Sequence, residues 1–229
     1  MTSIRVTPVE GIPEVTAGDD VGELIVAAAG SAAFASGDVI VVAQKVISKA
    51  EGRIVPATDK ESSVRAESVR LLRRTAGGMW ISETRHGFVC ANAGVDASNV
   101  PGDNLVLLPL DPDLSARGLR ARISHLTGAD VAVIVSDTFG RAWRMGQTNV
   151  AIGVAGMDPF VDYRGETDAF GRELGATNIC IADEIAGAAE IVMGKANGIC
   201  AAIVRGAPIR NARGAATSIA RSPADDLFR

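Results

Sequence analysis

Three short runs with hardly a polar break constrain this chain most: residues 38–43 (DVIVVA), 131–135 (VAVIV) and 199–204 (ICAAIV). A strand that is apolar at successive positions needs cover on both of its faces. Aromatic residues make up only 4% of the chain, so Ala, Val, Ile and Leu must supply that cover. The combination favours layered packing of helices on sheets. With 229 residues the chain fits one large domain or two small intertwined ones.

Further strands are predicted at 4–9, 79–82, 87–91, 105–108 and 148–154. The run at 131–135 is expected to end at Ser136-Asp137-Thr138. Asp19 and Asp20 offer a cap for a helix whose inner face is Val21, Leu24, Ile25 and Ala28. Thr58 and Glu61 read as a capping box that opens a helix to about Arg74. Asp111-Pro112 opens another, with Ala116, Leu119, Ile123 and Leu126 inside and Gly128 at its end. Asp183 is expected to cap a late helix with Ile185, Ala188, Ala189 and Val192 inside, and the tail from Ala207 is polar and irregular. The order is not a regular βαβ alternation. The fold class read from it is α+β, with mixed sheets and flanking helices. There is no GxxxxGK[ST] loop and no GxGxxG turn, so neither a P-loop nor a Rossmann fold is expected.

A net charge of −4 argues against a nucleic-acid partner, and Arg70, Arg73 and Arg74 read as a solvated helix face. Cys90, Cys180 and Cys200 are an odd number with no CxxC pair, which suggests reduced, buried thiols. The first residues lack a signal-peptide pattern and no apolar run reaches membrane-spanning length. A cytoplasmic protein without a membrane partner is expected.

His86 and His125 stand alone, so the chemistry must rest on acids at the ends of apolar runs. Asp137 with Thr138 offers two hard oxygens suited to Mg²⁺ or Mn²⁺, although a turn cap would use the same residues. Asp96 sits in NAGVDASN, where small neighbours let a ligand approach the backbone, and Asn92 and Asn99 add amides. A plain Asx turn is the alternative. Lys45 and Lys49 in QKVISKAEGR would share a helix face and could neutralise phosphates, or simply be solvated. Arg141 and Arg144 in DTFGRAWRMGQ suit an anionic substrate. The loop MGKANG could wrap a ligand or only cap a helix. Taken together these features fit phosphoryl transfer.

The segments VEGIPEV, VISKAEGR, NAGVDASNV, LLPLDPD, SDTFGRAWRMGQTNVAIG, GRELGATNICIADEIAGAAEIVMGK and AIVRG resemble the coenzyme F420-0:L-glutamate ligase (gamma-glutamyl ligase) family. They span about Val9 to Arg205. The resemblance implies a GTP-dependent amide ligase. GTP would activate the lactyl carboxylate of coenzyme F420-0, through an acyl phosphate, for attack by L-glutamate, and a second glutamate could follow. It implies two divalent ions per site, Mg²⁺ or Mn²⁺, with K⁺ as a further ion. Asp96 and Asp137 match the family's metal acids and Thr138 a second-metal ligand. Gly11, Ile12, Pro13 and Glu14 match a GTP-contacting segment, Gln44, Lys45 and Lys49 another, and Asn99 a further contact. Arg141 and Arg144 are assigned to the acceptor's phosphodiester or carboxylate. Lys195 stands where many members carry an acid, and Gln44 and Lys45 replace small hydroxyl residues of some relatives.

A homodimer of interwoven protomers is also implied. Some relatives continue into a flavin-binding domain near the position of DDLFR in this chain, so both a single-domain ligase and the first half of a two-domain protein stay open. Three other activities remain open at this point: a related ligase acting on another carboxylate, a non-catalytic deazaflavin- or nucleotide-binding protein, and a metal-dependent phosphatase.

Overall fold

A computed structural model describes residues 3–222 and 224–226. The segment DDLFR therefore lies partly outside the described residues. In chain order the strands are β1 (Arg5–Pro8), β2 (Val39–Ala43), β3 (Ile54–Pro56), β4 (Ser68–Arg74), β5 (Trp80–Thr84), β6 (Val89–Ala91), β7 (Asn104–Val106), β8 (Ala132–Arg141), β9 (Arg144–Ala155), β10 (Val161–Asp162), β11 (Asn178–Ile179) and β12 (Ala201–Arg205). The α-helices are α1 (Val21–Ala29), α2 (Gln44–Ala50), α3 (Lys60–Glu67), α4 (Pro112–Thr127) and α5 (Ile181–Met193).

The three apolar runs lie side by side in a five-stranded sheet of order β1-β12-β2-β8-β9. Only β2 and β8 run parallel; the other pairs are antiparallel. Ile40, Val42, Val133, Val135 and Ile203 point to one face, where Ile25 of α1 and Ala116, Leu119 and Ile123 of α4 cover them. Val39, Val41, Ile134, Ala202 and Val204 point to the other, under Ile185, Ala186 and Ala189 of α5. Cover on both faces is what the unbroken runs require. A smaller core of Val64, Val95, Leu105 and Leu107 lies beneath the two-stranded sheet β3-β7 and α3. A three-stranded sheet, β4-β5-β6, flanks it. The arrangement is α+β with mixed sheets, as read from the sequence. No helix among the described residues is long and apolar enough to cross a membrane.

Two helix starts are as expected: Asp20 accepts from Glu23 N, and Asp111 accepts from Leu114 N with Pro112 in the first turn. Gly128 ends α4 in the left-handed conformation.

Three expectations fail for identifiable reasons. The helix predicted from Thr58 to Arg74 is only α3, capped by Asp59 rather than Thr58. Its second half is β4, where the cross-strand pair Arg70–Glu83 at 2.9 Å and Arg74 over the Trp80 ring tie it to β5. The three arginines thus lie on a strand. Asp183 does not cap α5, which begins after Cys180. It sits in the first turn, and its Oδ1 accepts from the edge-strand amide of Ala151 at 2.8 Å. Finally, β8 does not stop at Ser136-Asp137-Thr138. It continues to Arg141 because β9 pairs with it throughout, Asp137 opposite Val150 and Thr138 opposite Asn149.

Candidate active site

Beyond the point where β8 and β9 leave the central core, the hairpin forms one wall of a cleft of about 1060 Å³. The helix α2, the segment carrying Asp96 and the C-terminal end of α5 form the other walls. Four lysines (Lys45, Lys49, Lys60, Lys195) and four acids (Glu14, Asp96, Asp137, Glu190) line it.

Asp96 is held by strained backbone. Four non-glycine residues among those described have positive φ, and three of them, Asn92, Ala93 and Asn99, bracket Asp96. Such conformations cost about 1–3 kcal/mol each and persist where the surroundings over-determine them. Here the Asn92 side chain accepts from Trp80 N at 3.0 Å, and Asp96 bridges to Val106 of β7 through both backbone bonds. The Asx turn is present, with Ser98 N donating to Asp96 Oδ1 at 3.0 Å. The same carboxylate does more. Its Oδ2 accepts from Ser98 Oγ at 2.8 Å and pairs with Lys45 Nζ at 2.6 Å. Burial alone would raise its pKa, but the bonds from Lys45 and Ser98 outweigh burial and lower it to about 2.

Asp137 is the electrostatic opposite. Burial pushes its pKa up to about 6, and the neighbouring charge of Asp96 adds to that. The Thr138 amide and the through-space charges of Lys45 and Lys195 pull it back only in part. Of the four acids lining the cleft, three form ion pairs with its lysines: Asp96 with Lys45, Glu14 with Lys49 at 2.5 Å, and Glu190 with Lys195 at 2.7 Å. No such pair is recorded for Asp137 among the described residues.

Thr138 Oγ1 donates to Asn149 Oδ1 at 2.8 Å, and Lys195 Nζ donates to the same oxygen at 3.1 Å. Lys49 is the buried lysine of the cleft, with 7% of its surface exposed. Gln44 is buried one turn away, its Oε1 taken by Ser48 Oγ at 2.9 Å.

Most residues singled out in the sequence therefore meet in one place. Ile12, Pro13, Glu14, Gln44, Lys45, Lys49, Asp96, Asn99, Asp137 and Thr138 all line the cleft. Gly11 does not, and neither do Arg141 and Arg144. Those arginines pair with each other at the hairpin tip, where Arg141 turns back to donate to Met145 O at 2.7 Å. Sequence reasoning missed Asn149 and Glu190. Glu190 is a polar residue in an otherwise apolar run, GAAEIVMG, and that break in pattern was the available signal, whereas Asn149 follows Gln147 and Thr148 and carried no such signal.

No three His, Cys, Asp or Glu side chains converge as a metal cluster among the described residues. The donors present still suit a hard cation. Mg²⁺ and Mn²⁺ are commonly held by one or two carboxylates, with the remaining positions left to phosphates and water. Asp137, a carboxylate raised in pKa beside a second carboxylate, is the group such an ion would stabilise.

Fold and cleft together define an α+β protein with one cleft that gathers the carboxylates of Asp96 and Asp137 with the ammonium groups of Lys45, Lys49, Lys60 and Lys195. Within that class the chain belongs to the F420-0:Gamma-glutamyl ligase family, whose family model matches residues 11–206. It is 41% identical to the Coenzyme F420:L-glutamate ligase of Methanothermobacter thermautotrophicus, with 99% of each chain covered. It is equally identical to proteins of the same name from Methanopyrus kandleri, over 100% of this chain and 99% of the relative, and Archaeoglobus fulgidus, over 99% and 96%.

Proposed function

We propose that this protein is a gamma-glutamyl ligase that joins L-glutamate to the lactyl carboxylate of coenzyme F420-0, with GTP as the activating co-substrate. The observation that carries this reading is the meeting of Asp96, Asp137, Lys45 and Lys49 in one cleft of a chain that resembles such ligases from end to end.

The roles follow from position. Lys49, at the buried side, and Lys45 neutralise the GTP phosphates. Ile12, Pro13 and Glu14 border the nucleotide on the same side, with Gln44 and Asn99 beside it. Asp96, Asp137 and Thr138 would hold a divalent cation, Mg²⁺ or Mn²⁺, which when bound draws charge from the transferring phosphoryl group. A lactyl carboxylate oxygen attacks the γ-phosphorus and the β–γ bridging bond breaks, leaving GDP and an acyl phosphate. The glutamate nitrogen then attacks the acyl carbon. An amide forms, phosphate leaves and the nitrogen releases a proton.

The test is a mass-spectrometric assay with F420-0, L-glutamate, GTP and Mn²⁺, omitting each in turn. A product heavier by one or more glutamyl units, dependent on all four components, is expected. GTP hydrolysis with no glutamyl product would point to another acceptor. The absence of both product and hydrolysis would remove the ligase reading.

A further inference from the structure

Lys195 occupies an unusual position for a lysine. It follows the C-cap of α5, and its side chain returns across the cleft to bond Glu190 Oε2 at 2.7 Å and Asn149 Oδ1 at 3.1 Å. Asn149 is 3% exposed and fixed from behind, since Oδ1 also accepts from Thr138 Oγ1 and Nδ2 donates to Ser136 Oγ at 3.4 Å. A carboxylate and an amide oxygen therefore hold one ammonium, and the Thr138 hydroxyl bonds the same amide oxygen. These are the hard oxygens a divalent cation would choose.

The charges point the same way. Lys195 neutralises Glu190 and Lys49 neutralises Glu14, while Lys45 is set against Asp96. Asp137 and Lys60 are left over, and no ion pair joins them among the described residues. One divalent ion between Asp96 and Asp137 balances both carboxylates and frees Lys45 for an anionic substrate. A second ion on the α5 side of the cleft would have to displace Lys195 from Glu190 and put its charge elsewhere.

We propose that the Lys195 ammonium is a built-in cation that fills a second cation position, so that the cleft takes one divalent ion instead of two. The inference rests on the ligase reading for what the ion and the ammonium act upon, an anionic phosphoryl group.

The test counts ions. Free Mn²⁺ is followed by electron paramagnetic resonance while the full chain is titrated in the presence of GDP. One tight Mn²⁺ per wild-type chain is expected. Lys195→Glu, which supplies a carboxylate in place of the ammonium, should take up two. Lys195→Met, which only removes the charge, should take up the second ion more weakly, and it keeps the test decisive if the Glu variant fails to fold. Two tight ions in the wild type, or one ion in every variant that folds, would overturn the proposal. If the wild type still forms a glutamyl product in those cases, the ligase reading stands without it. No bound Mn²⁺ at all would remove both the ion count and the metal assignment of Asp96 and Asp137.

Discussion

Lys45 Nζ lies 2.6 Å from Asp96 Oδ2, so the carboxylate read as a metal ligand is already engaged by an ammonium of the same cleft. The two residues are 51 positions apart, and the pair links α2 to the strained segment around Asp96. Lys45 Nζ also donates to Ser98 Oγ at 2.5 Å and Ser98 O at 3.1 Å, a small cage of three oxygens around one charge. A divalent ion that binds Asp96 must move this ammonium aside.

Removing the competitor should therefore help the ion and harm the nucleotide. Lys45→Ala is expected to bind Mn²⁺ several-fold more tightly in the absence of nucleotide, because the ion no longer displaces a paired lysine. Its GTP affinity should fall, because the displaced ammonium is the group assigned to the phosphates. Calorimetric titration of each ligand separately measures both. Unchanged Mn²⁺ affinity would show that Lys45 does not stand in the ion's place.

Asp137 gives a stability prediction with a defined sign. Its folded pKa, about 6, is above its ordinary value of 3.8, so burial favours the protonated form. The ionised group destabilises the ion-free fold fully above pH 6, and this penalty vanishes as pH falls toward 4. The size is roughly 3 kcal/mol. Asp137→Asn is expected to be inactive yet more stable than wild type at pH 8, with the difference shrinking through pH 6 and gone near pH 4. Urea unfolding of ion-free protein across that range reads it directly. A difference independent of pH would assign the effect to packing.

The sequence made the frame and much of the cleft legible. The runs at β2, β8 and β12 could only be buried strands, and Asp20, Asp111 and Gly128 marked helix ends by local chemistry. What stayed hidden was non-local. Ser68–Arg74 became a strand because β5 was there to pair with it, and the polar step Ser136-Asp137-Thr138 did not stop β8 because β9 continued alongside. Asp137 and Asp96 were each legible as candidates from their own neighbours. Which lysine faces which acid was not, because those pairs join residues from 5 to 51 positions apart. Asp183 and Asp113 show the same limit, since each holds the edge strand β9 from a helix distant in sequence.

Asp113 is a test of that edge. It is 5% exposed, in the first turn of α4, and accepts from Val154 N at 2.8 Å, Ala216 N at 2.7 Å and Thr217 N at 3.3 Å. One carboxylate thus ties β9 and the C-terminal segment to α4. Asp113→Ala leaves these amides without their acceptor, at a cost of about 3 kcal/mol or more. Thermal unfolding should fall accordingly, and proteolysis within 207–222 should quicken. GTP binding per folded chain should not change, because Asp113 lies outside the cleft.

Gly94 connects backbone strain to the site. Its φ is +73°, and a Cβ there would meet Leu108 Cγ at 2.6 Å, with Leu108 itself 1% exposed. Gly94→Ala therefore brings two penalties, a left-handed backbone of roughly 1–2 kcal/mol and an overlap with a core side chain. Both act two residues from Asp96, so the variant should lose stability and Mn²⁺ affinity together. Adding Leu108→Ala removes the overlap and leaves the backbone term. The double variant should accordingly bind Mn²⁺ better than Gly94→Ala alone, although Leu108→Ala by itself opens a cavity and destabilises the chain. A double-mutant cycle on Mn²⁺ affinity measures this coupling. Strict additivity would mean that Leu108 does not position the Asp96 segment, and that backbone strain alone holds the carboxylate in place.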